Sequence, residues 1–227
     1  MYLFKETPFS SHAIIVNLVR LNFIKGTILD IGCASGYIGR QLQSSDYLLY
    51  GVDSDRRSLE EAKKYYKDVW LSDVELHIPN FKVKFDLLIF ADILEHLKKP
   101  EGVLGKLLRF GNEQALVIIS VPNVANIAVR LLLLFGFFNY TDKGILDKTH
   151  LRFFTLSTLL NLIDDNDLEI LKIKFSALPF FEVFPLARRG KPFYLLNIIA
   201  YILANFWGRM FAYQFVVLAR RKSGRIS

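Results

Sequence analysis

The run ILDIGCASGYIG (28–39) places an acid, Asp30, two residues ahead of a turn built from Gly32, Ala34 and Gly36. Glycine lets a backbone turn tightly and lie close to a ligand, and alanine is nearly as small. The Asp30 carboxylate, at the end of an apolar run, is placed to hold backbone amides or a cationic group. A nicotinamide or flavin loop reads G-x-G-x-x-G and sets a pyrophosphate on the helix N-terminus. Here the order is D-x-G-x-A-x-G, which suits a ligand with a cationic amino-acid end and no phosphate. Asp53 follows about 20 residues on, where an acid can accept both hydroxyls of a ribose. Taken alone, it reads equally as a helix-capping aspartate. Cys33, inside the turn, reads as a small loop residue rather than a nucleophile.

Two later runs carry titratable groups. ADILEHL (91–97) contributes Asp92, Glu95 and His96. On a helix, Asp92 and His96 are i, i+4 neighbours on one face. The preferred reading of His96 is a buried histidine that ties the helix to its neighbours; a part in the chemistry is the alternative. ILDKTHLRFFT (145–155) gathers Asp147, Lys148, His150 and Arg152 among apolar neighbours. His150 can act as a base toward an oxygen nucleophile. Equally, His150 and Arg152 can anchor the segment by hydrogen bonds.

The elements that must position these groups alternate strand and helix. TILDI, YLLYGVD (47–53), DVWLSD (68–73), FDLLIFA (85–91) and ALVIISVP (115–122) are continuous apolar runs. Such runs predict strands covered on both faces, as in a parallel sheet. Between them SDRRSLEEAKKYY predicts a helix capped by Ser54. PEGVLGKLLRFG predicts another, with Val103, Leu104, Leu107 and Leu108 on one stripe, Pro100 near its start and Gly111 at its end. SHAIIVNLVRLNFI predicts an N-terminal helix, and Thr155 caps a helix that leads into a strand with Leu171, Ile173 and Phe175 on one face. FAYQFVVLARR (211–221) predicts the last strand. The result is an α/β doubly wound sheet with ligands bound beyond the carboxyl ends of its strands.

The chain's 227 residues fit one domain: an N-terminal helix (1–26), a cofactor-binding half (27–122), a lid or substrate insertion (123–155) and C-terminal strands (156–227). A 52% apolar composition excludes disorder. One cysteine builds neither a disulfide framework nor a thiolate metal site, and no metal is expected. That fits a reducing, cytoplasmic setting, and the N-terminus shows no secretory signal pattern. Net charge is +7, which fits nucleic acid, an anionic membrane surface or acidic substrates. Because the basic residues are spread out, a solvated basic surface without an assigned partner stands equally beside these. Mean hydropathy is +0.27, raised by NIAVRLLLLFGFF (126–138) and FYLLNIIAYILANFW (193–207). Arg130 breaks the first, and Asn197 and Asn205 the second; neither reaches the ~20 apolar residues of a membrane span. In the second, Leu195, Leu196, Ile199, Ile202, Leu203 and Phe206 share a stripe. ARRGK (187–191) and Arg209 flank it with charge, so peripheral contact with the inner membrane face stands beside core burial as a reading.

The loop resembles motif I of the class I S-adenosylmethionine-dependent methyltransferases, which usually show D/E-x-G-x-G-x-G. Ala34 replaces the middle glycine, a substitution tolerable where φ stays negative. YGVDSD, WLSDVE and FDLLIFADILEHL resemble the following elements, so the resemblance runs over residues 27–175. It implies a Rossmann-like seven-stranded sheet with an apolar helical insertion after strand five and a second before the last strand. It also implies S-adenosyl-L-methionine as cofactor. Asp30, Gly32, Cys33, Ala34, Ser35 and Gly36 would form the loop, with Asp53 and Ser54 at the ribose. Asp73 would reach the adenine amino group, Val74 would lie beside the ring, and Ala91 at the methionine side.

The region 121–155 resembles a type 11/23-like subgroup associated with bacterial polysaccharide and with methionine- or ubiquinone-type pathways. By that resemblance His150 and Arg152 face the active-site mouth, with His96 nearby. The implied reaction is methyl transfer to a small-molecule, sugar or lipid-linked acceptor, at oxygen in preference to nitrogen or carbon. A binding protein that kept the fold and lost the reaction is the non-enzymatic alternative, and a nicotinamide oxidoreductase is disfavoured by the loop order. FADILEHL lacks the N-P-P-Y or Pro-Cys element of nucleic-acid base methylation, so no nucleic-acid partner is expected.

Overall fold

The structure is a computed structural model that describes residues 9–177 and 191–222. Five strands, β1 (Gly26–Ile31), β2 (Tyr47–Asp53), β3 (Asp68–Leu71), β4 (Phe85–Ala91) and β5 (Gly111–Pro122), pair in parallel. Two more, β6 (Leu168–Phe175) and β7 (Gln214–Arg221), complete a sheet of order β3-β2-β1-β4-β5-β7-β6, with β7 antiparallel to both β5 and β6. The apolar runs are strands because both faces are covered. Leu29 and Ile31 bury into one core with the helix α4 (Pro100–Leu108), while Ile28 buries into a second with α1 (Ser11–Asn22). The stripe Val103, Leu104, Leu107 and Leu108 is buried as its period predicts, and Pro100 takes the first turn. Strand order reverses between β1 and β4, so the crevice beyond their carboxyl ends is the ligand position.

Two short helices, α2 (Tyr37–Gln41) and α3 (Arg56–Ala62), follow β1 and β2. The cap of α3 is Asp55, whose carboxylate accepts from Arg57 N and Ser58 N; Ser54 stands one residue outside it. Two apolar insertions are present as expected: α5 (Ile127–Leu134) after β5, and α7 (Lys191–Phe206) with α8 (Gly208–Phe211) before β7. Helix α6 (Leu156–Asp165) starts with the Thr155 cap in a reciprocal capping box with Thr158.

Two local expectations are corrected, and a third point left open is narrowed. ADILEHL is no α-helix: Asp92 adopts φ 53, and only a single 3-10 turn, Leu94–His96, follows. Asp92 and His96 therefore do not stack at i, i+4. In β6 a register shift between Ile170 and Lys172 turns Leu171 outward, and Ile170, Ile173 and Phe175 pack on the core instead. The apolar stripe of α7 faces away from the sheet: Leu195 is 58% exposed and Phe206 86%, whereas Asn197 and Ala204 are buried. The basic run at 187–190 lies outside the described residues.

Candidate active site

The turn after β1 carries the cofactor geometry. Gly32 has φ 73, and a Cβ there would lie 2.8 Å from the Ile93 side chain, so only glycine fits. Ala34 adopts φ 44, contrary to the negative φ expected, and is held there by its amide donating to Asp53 Oδ2 at 2.8 Å. Asp53 Oδ1 accepts from Asp55 N, which leaves further lone pairs on both oxygens. Asp30 is buried and accepts from the Tyr66 hydroxyl through Oδ2 at 2.6 Å, while its Oδ1 has no hydrogen-bond partner. Burial, the largest influence, pushes the Asp30 pKa up to about 7; the Tyr66 hydrogen bond opposes this and the charge of Asp53 adds to it. Cys33 is buried, and burial pushes its thiol far up, so it carries no nucleophilic thiolate.

These residues open onto one cavity of about 230 Å³. Asp30, Gly32, Cys33, Ala34, Asp53 and Ala91 line it from the sheet, and Glu95, His96 and His150 close it. A second cavity of about 160 Å³ shares Gly32, Asp53, Ile93 and His96 with it, and is lined also by Ser54, Asp73 and Val74. Asp73 Oδ1 accepts from Glu75 N. Ser35 and Gly36 shape the turn without lining either cavity; Gly36, at φ 81, opens α2. The pair of cavities matches a nucleoside joined to an amino acid. Asp30 Oδ1 is the orphaned acceptor that a cationic end would meet, and the left-handed turn at Gly32 and Ala34 is the backbone cradle. When bound, S-adenosylmethionine supplies a methyl group on a sulfonium.

His150 is buried, and its Nδ1 lies 3.0 Å from Ile145 O; His96 Nδ1 lies 3.2 Å from Thr149 O. The two rings meet edge to face at 4.9 Å. Burial chiefly lowers the His150 pKa, so the ring is neutral at pH 7. Arg152 is elsewhere: its guanidinium donates to Lys98 O through Nε and Nη2, at 3.0 and 2.5 Å, and it lines a different surface cleft beside α6. Leu151 N and Arg152 N both donate to Glu95 O. Arg152 thus straps the loop that carries His150 onto the segment that carries Glu95 and His96. The sequence reading named Glu95 beside Asp92 and His96 without giving it a role, and did not pick out Tyr66, His12, Tyr213 or Gln214. Those four converge only through the fold.

A doubly wound sheet with Asp53 and a glycine turn at its switch point is the frame of a nucleoside-binding fold. A family model described as a methyltransferase domain matches residues 11–173, and the chain belongs to that family; it is an S-adenosylmethionine-dependent methyltransferase. It is 23% identical over 178 residues to a ubiquinone biosynthesis O-methyltransferase of Rickettsia akari (strain Hartford), covering 70% of each chain. A Shewanella sp. (strain ANA-3) protein of the same name is 25% identical over 170 residues, covering 68% of this chain and 71% of its own. Magnesium protoporphyrin IX methyltransferase from Synechocystis PCC 6803, crystallised with bound SAH, shares the fold: its TM-score is 0.64 at 15% identity, covering 93% of this chain and 82% of that one.

Proposed function

We propose that the enzyme methylates a hydroxyl oxygen on an apolar, lipid-linked acceptor presented at a membrane surface. The observation that carries this reading is the exposed apolar surface beside the cavity rim. On α5 and the turn after it, Leu131, Leu132, Leu133, Leu134, Phe135 and Phe137 are exposed. On α7 the whole apolar stripe is exposed, and its polar and small side chains, Asn197 and Ala204, are the buried ones. The two insertions join at their bases: Asn123 Nδ2 and Asn126 Nδ2 each donate to Ala212 O at 2.9 Å. Pro122, Tyr213 and Gln214, beside that junction, line the cavity. Among the described residues no helix is long and apolar enough to cross a membrane, so this surface fits lying on one. Exposed Arg130 and Arg209 flank it. The names of the curated relatives, O-methyltransferases of ubiquinone biosynthesis, support oxygen as the acceptor atom.

Transfer then needs the acceptor oxygen in line with the sulfonium methyl, with the cavity holding both in a near-attack arrangement. His96 and His150, which line the same cavity as the turn after β1, are the groups placed to activate the hydroxyl. The test is transfer of labelled methyl to matched hydroxylated aromatics with and without a polyprenyl tail, in anionic vesicles. Tail-dependent turnover supports the reading. Turnover on soluble sugars or small acids alone sinks it.

A further inference from the structure

Glu95, His96 and His150 each offer a donor atom that lies within 4.8 Å of the others. Glu95 is 1% exposed and His150 is buried, so two of the three are held by packing. Each histidine has its Nδ1 against a backbone carbonyl, Thr149 O for His96 and Ile145 O for His150. A ring that donates Nδ1–H in this way keeps Nε2 as a lone pair, the arrangement that fixes ring orientation and tautomer in ligating histidines. Two backbone bonds and the Arg152 strap hold the two segments together before anything binds.

We infer that Glu95, His96 and His150 form a two-histidine, one-carboxylate site for a first-row divalent cation. Imidazole and carboxylate together suit Zn²⁺, Mn²⁺ or Co²⁺, and the nitrogen donors disfavour Mg²⁺. Donors on one such ion stand ~3–3.5 Å apart, so the side chains close by about 1–2 Å when it binds. Three protein ligands leave open coordination positions, and all three residues line the cofactor cavity. A hydroxyl oxygen bound at an open position becomes more acidic and fixed in place. The histidines then act as ligands, not as proton acceptors. Only what fills the open positions rests on the proposed acceptor; binding of the cation does not.

The full chain, freed of metal by chelator and gel filtration, is titrated at pH 7 with Zn²⁺ alone by calorimetry. One equivalent is expected, with Mg²⁺ giving no comparable heat. Glu95→Gln and His150→Asn should each weaken Zn²⁺ binding at least tenfold, with S-adenosylmethionine titrated separately to report an intact cofactor site. Because these buried positions are sensitive to substitution, Co²⁺ is also added to the unmodified chain. Visible d–d bands of nitrogen–oxygen coordination, displaced by one equivalent of Zn²⁺, are expected. Absence of stoichiometric Zn²⁺ binding, a featureless Co²⁺ spectrum, or equal Zn²⁺ affinity in folded variants overturns the site. Metal binding without any lipid-linked turnover would leave the site standing and remove the acceptor reading alone.

Discussion

The Tyr66 hydroxyl donates to Asp30 Oδ2 at 2.6 Å and accepts from Gly39 N at 3.1 Å, tying Asp30 at the end of β1 to α2. That bond opposes the rise of the Asp30 pKa without cancelling it: burial dominates, and the folded value stands at about 7 against 3.8 for the ordinary side chain. Between those two values the unfolded chain carries an ionised Asp30 and the folded chain a protonated one. The folded state binds more protons, so its stability falls as pH rises through this window; above pH 7 the deficit is constant. Asp30→Asn removes the titration. Its stability relative to the parent should therefore increase from pH 4 to pH 7, by at most ~1.4 kcal/mol per pH unit. Urea unfolding of both proteins at pH 4.5 and pH 8 measures this, and an unchanged difference would refute it.

The same carboxyl couples cofactor binding to protons. Asp30 Oδ1 has no hydrogen-bond partner, and S-adenosylmethionine bound against this wall would bring a sulfonium and an ammonium to it. Positive charge nearby favours the ionised acid. Binding at pH 7 should then release a fraction of a proton, so affinity weakens below pH 7. Calorimetry in two buffers of different ionisation enthalpy reads the release directly. Asp30→Asn should abolish it, and a buffer-independent heat in the parent protein would count against the coupling.

Ala34 holds φ 44 in the cofactor turn. A left-handed conformation costs an L-residue about 1–2 kcal/mol that glycine escapes, offset by glycine's larger unfolded-state entropy of about 0.5–1 kcal/mol. Ala34→Gly should raise the melting temperature slightly and leave the Asp53 contact in place. A clear loss of stability would mean that the Ala34 methyl packs productively.

The strands were legible because burial on both sheet faces imposes continuous apolar runs, and the α4 stripe because its period leaves one burial solution. The turn after β1 was legible as a turn because left-handed positions fall on Gly32 and Gly36, although Ala34 also takes φ 44. The rest depends on three-dimensional convergence. An i, i+4 spacing at Asp92 and His96 fits a helix or a turn, and only the left-handed Asp92 selects the turn. The Leu171 alternation could not announce a register shift. In α7 the period revealed an apolar stripe but not that the small face, with Asn197 and Ala204, would be the one to pack. For Arg152 the sequence left a site cation and a loop anchor equally open; its bonds to Lys98 O make it an anchor that straps the loop.

That strap is testable without knowing the acceptor. Arg152 uses a planar fork on one carbonyl, which lysine cannot reproduce. Arg152→Lys should loosen the loop at 149–152, speeding exchange of the Leu151 and Arg152 amides about fivefold to tenfold, the loss of ~1–1.5 kcal/mol expected for one such hydrogen-bonded contact. Amides of β1 and β2 should not change. Hydrogen exchange by mass spectrometry separates these segments, and uniform acceleration across both would show general destabilisation instead.

The exposed stripe of α7 makes the last prediction sharp, because its side chains contribute little to the fold they sit on. Leu195 and Ile202 are 58% and 59% exposed. Moving such a side chain from water into the acyl boundary contributes about 1 kcal/mol each. Leu195→Glu with Ile202→Glu removes that gain and adds two charges that anionic headgroups repel. The double variant should therefore pellet with anionic vesicles at least tenfold less than the parent, while its melting temperature stays within about a degree, as expected for surface changes. Equal pelleting would place the lipid contact elsewhere, and a large fall in melting temperature would mean that this stripe is covered within the folded protein.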